Sequence, residues 1–584
     1  MKIKLRNSGG IVLLLLGIVS CISLLTAYVN ETGQRAYRFN VAAFVAFVVA
    51  VGLIIIFRKK FEWVLKVKNW FQNFFAFEKI GIFRRIPKLL SNCSYIIFFG
   101  FYAMMLLFSY VSRTTVLMAF WISVLFIAFQ LLYRILDQQQ DQPYQLFLVS
   151  GVAICFFMAY AFPYLISWDE QIHFARAYDI VHPFKNVEPY SVTRLKTFGL
   201  FYSISDFVES PYQYYFQILE NSQTDMEATK FFAMPLAYLG YLPSYLVFVV
   251  GDLICFDVIK LLILARMANA LTYMLVFALA VKVIKKGGYL FSVIGLIPVV
   301  LFLASVFSCD YWVTAWVALG TAYIISEFQQ PDKQIEWHDV LKILLVFFIG
   351  CGPKEIYIFL LLPFFFLPSK KFADGKTRKK MLLAGLLLIL FYIAYIASPM
   401  LIRQDAFTDS RGGGDVNATE QVKFILSHPI AYTKILVEFL LGYVSALNTN
   451  HHLAFYAYLG DAHYIWGTLT IVLLFFGVFT VYDKKADGIE PVNGKTRFLS
   501  VLVCLVQIVL FSTALYVSFT PVGYDTINGC QYRYLFPVFP LFFYMVAPTK
   551  LYNGISERVQ KGIIFGGSSF VALFSIFDLF FSKL

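Results

Sequence analysis

Residues 163–176 read Pro-Tyr-Leu-Ile-Ser-Trp-Asp-Glu-Gln-Ile-His-Phe-Ala-Arg, and they close an apolar run that begins near residue 145. The chain around them is 60% hydrophobic and only 14% charged. Acids, a histidine and an arginine at the mouth of an apolar span are costly to place beside a membrane, so we expect them to have a function. The stretch therefore marks both a membrane span and the first candidate site.

Apolar runs of about 20 residues, the length that crosses a bilayer core, recur along most of the 584-residue chain. The mean hydropathy is +0.71. We predict an all-α polytopic membrane protein with about 13–15 transmembrane helices, the first of them an uncleaved span. The candidate spans are 11–28, 41–57, 94–111, 115–134, 145–165, 234–251, 258–281, 289–307, 311–327, 339–352, 355–368, 380–400, 430–447, 464–481, 497–518, 534–548 and 562–580.

The net charge of +13 comes from short clusters of Lys and Arg between apolar runs, which indicates cytoplasmic loops rather than a nucleic-acid surface. All these clusters fall on the cytoplasmic side only if 234–251 and 430–447 are re-entrant or surface-lying helices. The intervals 166–257 and 401–463 are then large outer loops. Eight scattered cysteines without ligand spacing indicate neither a zinc site nor a disulfide framework.

Three parts of the chain follow from this topology. Residues 1–144 form N-terminal spans with a cytoplasmic amphipathic segment at about 59–90. Residues 145–550 form the transmembrane core, and residues 551–584 a C-terminal transmembrane helix.

The first candidate site is the segment quoted above. If it is helical, Asp169, His173 and Arg176 share one face, and Glu170 lies about a quarter turn away. A partly desolvated carboxylate is a better proton acceptor, which favours Asp169 as a general base. A solvated loop start with a local His–Asp contact is the alternative.

Two further clusters could hold a phosphate. Lys354 follows Gly352 and Pro353 between two apolar stretches, where its ammonium could bind a phosphate oxygen or pair with Glu355. Arg533 heads a span and is suited to bidentate phosphate recognition, although an interfacial anchor has the same pattern. Gln531 and Tyr534 flank it.

Metal dependence stays open at this stage. Asp169 and Asp310 could hold Mg²⁺ or Mn²⁺, and Asp310 or Arg176 could contact the substrate, but Asp310 could equally cap a helix. Because the acids are few and an Arg/Lys clamp suits a phosphate, the interpretation favours no cofactor. Arg266 lies near a span end, where snorkelling would explain it.

Several motifs occur together in one bacterial membrane-protein family. They are Trp168-Asp-Glu-x-x-His-Phe-x-Arg-Ala, Pro235-Leu-Ala-Tyr-Leu, Ala265-Arg-Met-Ala-Asn, Ala304-Ser-x-x-Ser-x-Asp310, Pro353-Lys-x-x-Tyr and Gly529-x-Gln-x-Arg-Tyr-x-x-Pro537. Over roughly residues 145–550 the chain resembles this family, catalogued as domain of unknown function 2142. Tyr532 stands where the family commonly has glycine.

That family is similar to the GT-C glycosyltransferases, which use polyprenyl-phosphate sugars outside the cytoplasm. The resemblance implies a GT-C-like fold and an inverting transfer to a cell-envelope glycopolymer such as teichoic acid or a wall polysaccharide, at the outer face of a bacterial plasma membrane. Asp169, helped by Glu170 or His173, would be the base. Arg533 and Lys354 would stabilise the departing phosphate, with Arg266, Gln531 and Tyr534 also at the donor.

Two other classes of function remain open from the sequence. A transporter or flippase of lipid-linked saccharides would also need intramembrane charges and broken helices. A non-catalytic component of a wall-polymer assembly complex would tolerate neutralisation of the three clusters.

Overall fold

The computed structural model describes residues 81–108, 113–136, 142–162, 166–179, 235–253, 258–402, 412–444, 452–460, 462–482, 491–549 and 554–581. Every regular element in these ranges is a helix, and they contain no β-strand. The predicted spans 11–28 and 41–57 and most of the amphipathic segment lie outside the described residues.

The α-helices, in chain order, are α1 (Gly81–Phe108), α2 (Arg113–Leu136), α3 (Pro143–Ala161), α4 (Glu170–Asp179), α5 (Leu242–Leu253), α6 (Val258–Val283), α7 (Gly288–Gly295), α8 (Pro298–Ala304), α9 (Asp310–Phe328), α10 (Trp337–Cys351), α11 (Gly375–Ile402), α12 (Ala418–Ser427), α13 (Pro429–Tyr443), α14 (Tyr464–Phe479), α15 (Gly494–Phe519), α16 (Phe539–Val546), α17 (Glu557–Lys561) and α18 (Gly567–Phe581). The 3-10 helices are Pro235–Tyr241, Glu355–Phe366, Ser369–Lys371, Ala457–Leu459 and Tyr532–Leu535, and Gly562–Gly566 is π-helical.

Seven described helices are long and apolar enough to cross a membrane, or eight if one bent pair counts as a span. The seven are Lys88–Phe108, Thr114–Ile135, Pro143–Ala161, Lys260–Val283, Gly375–Ser398, Gly494–Phe519 and Glu557–Leu579. The all-helical membrane class predicted from the sequence is confirmed. Several other predicted spans are broken or short in the structure, so the described residues hold fewer full-length spans than the sequence suggested.

Helix α6 lies at the centre of the bundle and packs against α3, α5 and α9. Its Asn269 is almost fully buried and joins three elements by hydrogen bonds. The Oδ1 atom of Asn269 accepts from the Ser244 hydroxyl at 2.7 Å and from the Tyr311 hydroxyl at 3.1 Å. A buried amide must find such partners, so this residue fixes α5 and α9 against α6.

The predicted span 289–307 is wrong as a single helix. It is divided into α7 and α8 at Leu296 and Ile297, and Pro298 begins α8. Proline is tolerated in the first turn of a helix but cannot donate the backbone hydrogen bond that would continue α7. The apolar composition that led us to predict a span nevertheless agrees with the structure, because the residues of both short helices are buried.

Helix α10 and the 3-10 helix Glu355–Phe366 form a hairpin with Lys354 at its apex. The sequence predicted both arms, but the second arm is 3-10 rather than α-helical and contains Pro363. A 3-10 helix rises about 2.0 Å per residue, so its 12 residues cover about the same length as the 15 of α10. Lys354 is thereby carried to the end of the bundle where α9 begins.

The segments 234–251 and 430–447, which we expected not to cross the membrane, do not form straight full-length spans. Residues Pro235–Gly251 form a short apolar helical stretch, 3-10 in its first part. Helices α12 and α13 meet at His428 with a bend of 106°. Pro235 and Pro429 begin the affected helices, as their fixed φ favours.

Basic residues gather at the far end of α9, which we call the basic end. There Gln329 accepts from the backbone of Lys285, and the buried Lys371 pairs with Glu327 at 2.9 Å. Lys371 also donates to the carbonyls of Glu327 and Gln330. Helix α9 has 19 residues, so this end lies about 27 Å from Asp310, a distance comparable to a bilayer core.

Gly352 provides a test of the hairpin apex. A Cβ atom there would lie 2.7 Å from the carbonyl oxygen of Leu236, against backbone that cannot move freely. We expect Gly352→Ala to lower the free energy of unfolding by about 1–3 kcal/mol. A thiol-reactive fluorophore can follow thermal unfolding, because Cys155, Cys309, Cys351 and Cys504 are free and buried.

The matched control is Gly375→Ala, since a Cβ at Gly375 meets nothing within 4 Å. Equal unfolding temperatures for the two variants would show that the 3-10 helix Pro235–Tyr241, which contains Leu236, does not pack on Gly352.

Candidate functional site

Four charged side chains from four separate segments meet at the end of the bundle opposite the basic end. We call Asp169, Asp310, Lys354 and Arg533 the charged cluster. Arg533 Nη2 lies 3.5 Å from Asp169 Oδ2, and Arg533 Nη1 lies 3.3 Å from Asp310 Oδ2. Lys354 Nζ donates to Asp310 Oδ1. Residues up to 364 positions apart in sequence thus form one ion-pair network.

Asp310 is the anchor of this cluster. It is the first residue of α9, is 4% exposed, and contacts both cations while its Oδ2 accepts from the Ser308 hydroxyl at 3.2 Å. A buried carboxylate needs such compensation for its lost hydration. Asp310 therefore holds Lys354 and Arg533 in place. The helix cap considered from the sequence is wrong, because Cys309 is the N-cap residue of α9 and its side chain makes no capping hydrogen bond.

Asp169 is the accessible acid of the cluster, with a third of its side chain exposed. Its backbone is left-handed, with φ at 56°, a conformation that aspartate adopts more readily than most residues. Its carbonyl accepts from the amides of Ile172 and His173, so Asp169 introduces α4 instead of lying within it. The carboxylate consequently points to Arg533 and not along the face of α4.

Aromatic rings enclose the two cations. The Arg533 guanidinium carbon lies 5.2 Å from the Trp168 ring centre, and Lys354 Nζ lies 4.3 Å from that of Tyr534. Cations are attracted to aromatic faces at such distances, most strongly where water is excluded. The interfacial-anchor interpretation of Arg533 does not fit, because the residue is 5% exposed and faces acids.

Glu170 and Arg266 form a second ion pair that is sealed from solvent. Arg266 Nη2 lies 2.6 Å from Glu170 Oε1, and both side chains are 0% exposed. Glu170 also accepts from the backbone amides of Ile166, Ser167 and Phe307 at 2.9–3.1 Å. The expected roles of Glu170 as a helper base and Arg266 as a phosphate ligand are corrected here, because neither group is accessible.

His173 does not share a face with Asp169, contrary to the helical interpretation. Its Nδ1 lies 2.6 Å from the hydroxyl of Tyr241. Burial lowers the pKa of His173 well below its usual value, and the cations Arg176 and Arg533 lower it further. A neutral histidine of such low basicity is poorly suited to help as a base near pH 7.

The remaining predicted residues lie around the cluster. Tyr534 covers Lys354 as described, and the Gln531 side chain is partly buried with an Oε1 that accepts no hydrogen bond from the part of the chain that the structure describes. Arg176 is half-buried and lies near Tyr241, on the same helix as His173. The alternative pair between Lys354 and Glu355 does not form, because Lys354 is engaged with Asp310.

No group of three or more His, Cys, Asp or Glu side chains with metal-binding geometry occurs among the described residues. Asp169 and Asp310, the two acids considered as metal ligands, are both paired to Arg533. A divalent cation between them would have to displace that guanidinium.

Tyr241 is the residue of this site that the sequence did not indicate. It lies at the end of the 3-10 helix Pro235–Tyr241 and is 2% exposed. A usable signal was present, since Pro235, Gly240 and Pro243 interrupt an apolar run that topology already excluded as a simple span. A tyrosine in such an interrupted segment is a candidate for a site.

Comparison with known proteins gives one result. Residues 148–542 match the model of a family described as "Predicted membrane protein (DUF2142)". Neither a curated protein nor a solved structure matches the chain.

The buried pair generates a prediction about stability. Glu170→Ala leaves the Arg266 guanidinium buried without its carboxylate, which should cost about 3–5 kcal/mol of unfolding free energy. The exposed pair of Glu420 and Lys423 is the matched control, and Glu420→Ala should cost less than about 1 kcal/mol. Thermal unfolding in detergent measures both, and a Glu170 variant as stable as the control would contradict a structural role for the pair.

Proposed function

We propose that this chain, which belongs to the DUF2142 family of predicted membrane proteins, is a GT-C-like membrane glycosyltransferase. The proposed reaction moves a sugar from a polyprenyl-phosphate donor to a hydroxyl of a cell-envelope glycopolymer, with inversion. The observation that carries the proposal is the pairing of an accessible carboxylate, Asp169, with the buried guanidinium of Arg533.

Asp169 would act as the general base. It accepts the proton of the acceptor hydroxyl while the acceptor oxygen forms a bond to the anomeric carbon of the sugar. The bond between that carbon and the phosphate oxygen breaks, and its electron pair leaves with the polyprenyl phosphate. The contact with Arg533 orients the Asp169 carboxylate before the substrate enters.

Arg533 and Lys354 would meet the departing phosphate. The Nε atom of Arg533 is buried and makes no hydrogen bond with the described residues, so the guanidinium retains a donor that a phosphate oxygen could use. Charge-assisted hydrogen bonds of this kind stabilise a developing negative charge most where water is excluded.

The distribution of charge supports an outward-facing site. The basic end and the charged cluster lie at opposite ends of α9, and Lys and Arg are enriched on the cytoplasmic side of membrane proteins. A bacterial plasma membrane with the cluster outside would match a lipid-linked donor, because such a donor reaches the outer leaflet whereas nucleotide sugars are cytoplasmic.

The proposal is tested by Asp169→Asn. General-base catalysis contributes about 10²–10⁴-fold, so the rate of labelled sugar transfer from polyprenyl phosphate should fall by at least about 100-fold. Asp332→Asn is the matched control, since Asp332 is 97% exposed at the basic end and its variant should transfer normally.

Undiminished transfer by correctly inserted Asp169→Asn would remove Asp169 as the base. Movement of donor across liposome membranes without covalent product would favour the transporter, and neither activity would favour a non-catalytic component.

A second prediction concerns metals. Because Arg533 and Lys354 already balance the charges of Asp169 and Asp310, transfer should persist in excess EDTA. The assay compares EDTA with EDTA preloaded with Mg²⁺. A loss that added Mg²⁺ or Mn²⁺ restores would show that a divalent cation takes part.

A further inference from the structure

Four aromatic rings form a continuous row beside the charged cluster. The Phe455 ring lies 5.5 Å from the Trp168 ring and 5.7 Å from the His452 ring, measured between ring centres. The His452 ring stacks on Tyr532 at 5.3 Å with an interplanar angle of 15°. We call Trp168, Phe455, His452 and Tyr532 the aromatic wall.

The aromatic wall adjoins the charged cluster at both of its ends. Trp168 directly precedes Asp169, and its ring centre lies 5.2 Å from the guanidinium carbon of Arg533. At the other end, Tyr532 directly precedes Arg533. The wall therefore lies beside the carboxylate and the guanidinium at which the proposed reaction takes place.

The segment 452–460, which supplies two rings of the wall, is fixed by contacts with the rest of the bundle. The backbone amide of Tyr458 donates to the carbonyl of Ile166 at 3.2 Å. The hydroxyls of Tyr456 and Ser575 share a hydrogen bond of 2.5 Å, which fastens the segment to α18. The rings are therefore positioned by the fold before a ligand arrives.

Three rings of the wall keep surface that a ligand can contact. Within the segment, Ala454 is 1% exposed and Tyr456 is 0% exposed. His452, Phe455 and Trp168 are each partly exposed. The buried residues thus anchor the segment, and the wall forms part of the accessible surface next to the exposed side of the charged cluster.

Backbone strain occurs at the same place. Among the residues that the structure describes, Asp169 and Ala457 are the two that take a left-handed backbone conformation without being glycine, with φ at 56° and 51°. Asp169 follows Trp168, and Ala457 lies two residues after Phe455. Such conformations are costly for residues with a β-carbon and concentrate where a site requires a particular geometry.

The chemistry of the wall favours a sugar ring as its ligand. The rings offer apolar faces together with the polar edges of an imidazole, an indole and a phenol. A sugar ring has the matching surface, because its C–H groups form apolar faces and its hydroxyls surround them. A phosphate would be held by charged groups instead, and a polyprenyl chain has no polar group to meet the edges of the rings.

We propose that the aromatic wall binds a sugar ring of the acceptor glycopolymer, with Phe455 and His452 as specificity-determining residues. This inference rests on the proposed function, in which Asp169 takes a proton from a hydroxyl of the acceptor. Because Trp168 is the neighbour of Asp169, a sugar stacked on the wall presents its hydroxyls beside that carboxylate.

The test measures the binding of soluble sugars and needs no turnover. Saturation-transfer NMR is recorded on purified full-length protein in detergent with the methyl pyranosides of glucose, galactose, N-acetylglucosamine and rhamnose. Open-chain sorbitol is the probe without a ring. At least one pyranoside should bind, and sorbitol should not. Phe455→Leu keeps apolar volume but removes the aromatic ring, so it should weaken that binding about three- to tenfold.

Two comparisons separate a loss of stacking from a loss of folding. His452→Phe retains a stacking ring and should bind the sugar more tightly than His452→Ala. Trp337→Leu is the matched control and should bind as the wild type does, since Trp337 is 43% exposed at the start of α10, away from the hairpin apex. Wild-type unfolding temperatures identify the folded variants, and the His452 pair decides the outcome if Phe455→Leu does not fold.

Sugar binding that is unchanged in the Phe455 and His452 variants overturns this inference, and so does a wild-type protein that binds none of the pyranosides. Binding of uncharged polyprenol that depends on Phe455 also overturns it and assigns the wall to the lipid. The proposed glycosyl transfer is tested separately by the transfer rate of Asp169→Asn, so a failure of either claim can be told from a failure of the other.

Discussion

The buried ion pair between Arg266 and Glu170 is the interaction on which the site depends. It joins α6, the central helix of the bundle, to the start of α4, and Glu170 also accepts from the amide of Phe307 in the turn before α9. Arg266 further donates to the carbonyl of Phe162 at the end of α3. Four elements are therefore fixed at one point. Asp169 directly precedes Glu170, and Asp310 follows Phe307 by three residues, so both acids of the charged cluster lie close to this point.

Two adjacent acids have different environments because a helix begins between them. Glu170 is the first residue of α4 and points into the bundle, where all its oxygens are satisfied. Asp169 takes a left-handed backbone conformation and points to Arg533 with a third of its side chain exposed. Strained backbone of this kind persists where the surroundings fix it, and here Glu170 provides that constraint. The buried carboxylate of Glu170 therefore positions the accessible carboxylate of Asp169.

The sequence predicted the membrane class, most helix positions and the residues that now form the charged cluster, because apolar run length and the cost of buried charge are local properties. It could not predict which charges pair, since Asp169, Asp310, Lys354 and Arg533 meet only through tertiary packing. A helical periodicity applied from Asp169 onward therefore grouped it wrongly with His173. The 3-10 form of Glu355–Phe366 and the break at Pro298 were also missed, because hydropathy does not distinguish helix types.

The central claim is that Asp169 and Arg533 act as one unit in sugar transfer, and a double-mutant cycle on the transfer rate tests it most directly. The rates of Asp169→Asn, Arg533→Gln and the double variant are compared with wild type. The account predicts that the double variant is about as slow as the slower single variant, since either change disables the same unit. Independent effects that multiply in the double variant would contradict it.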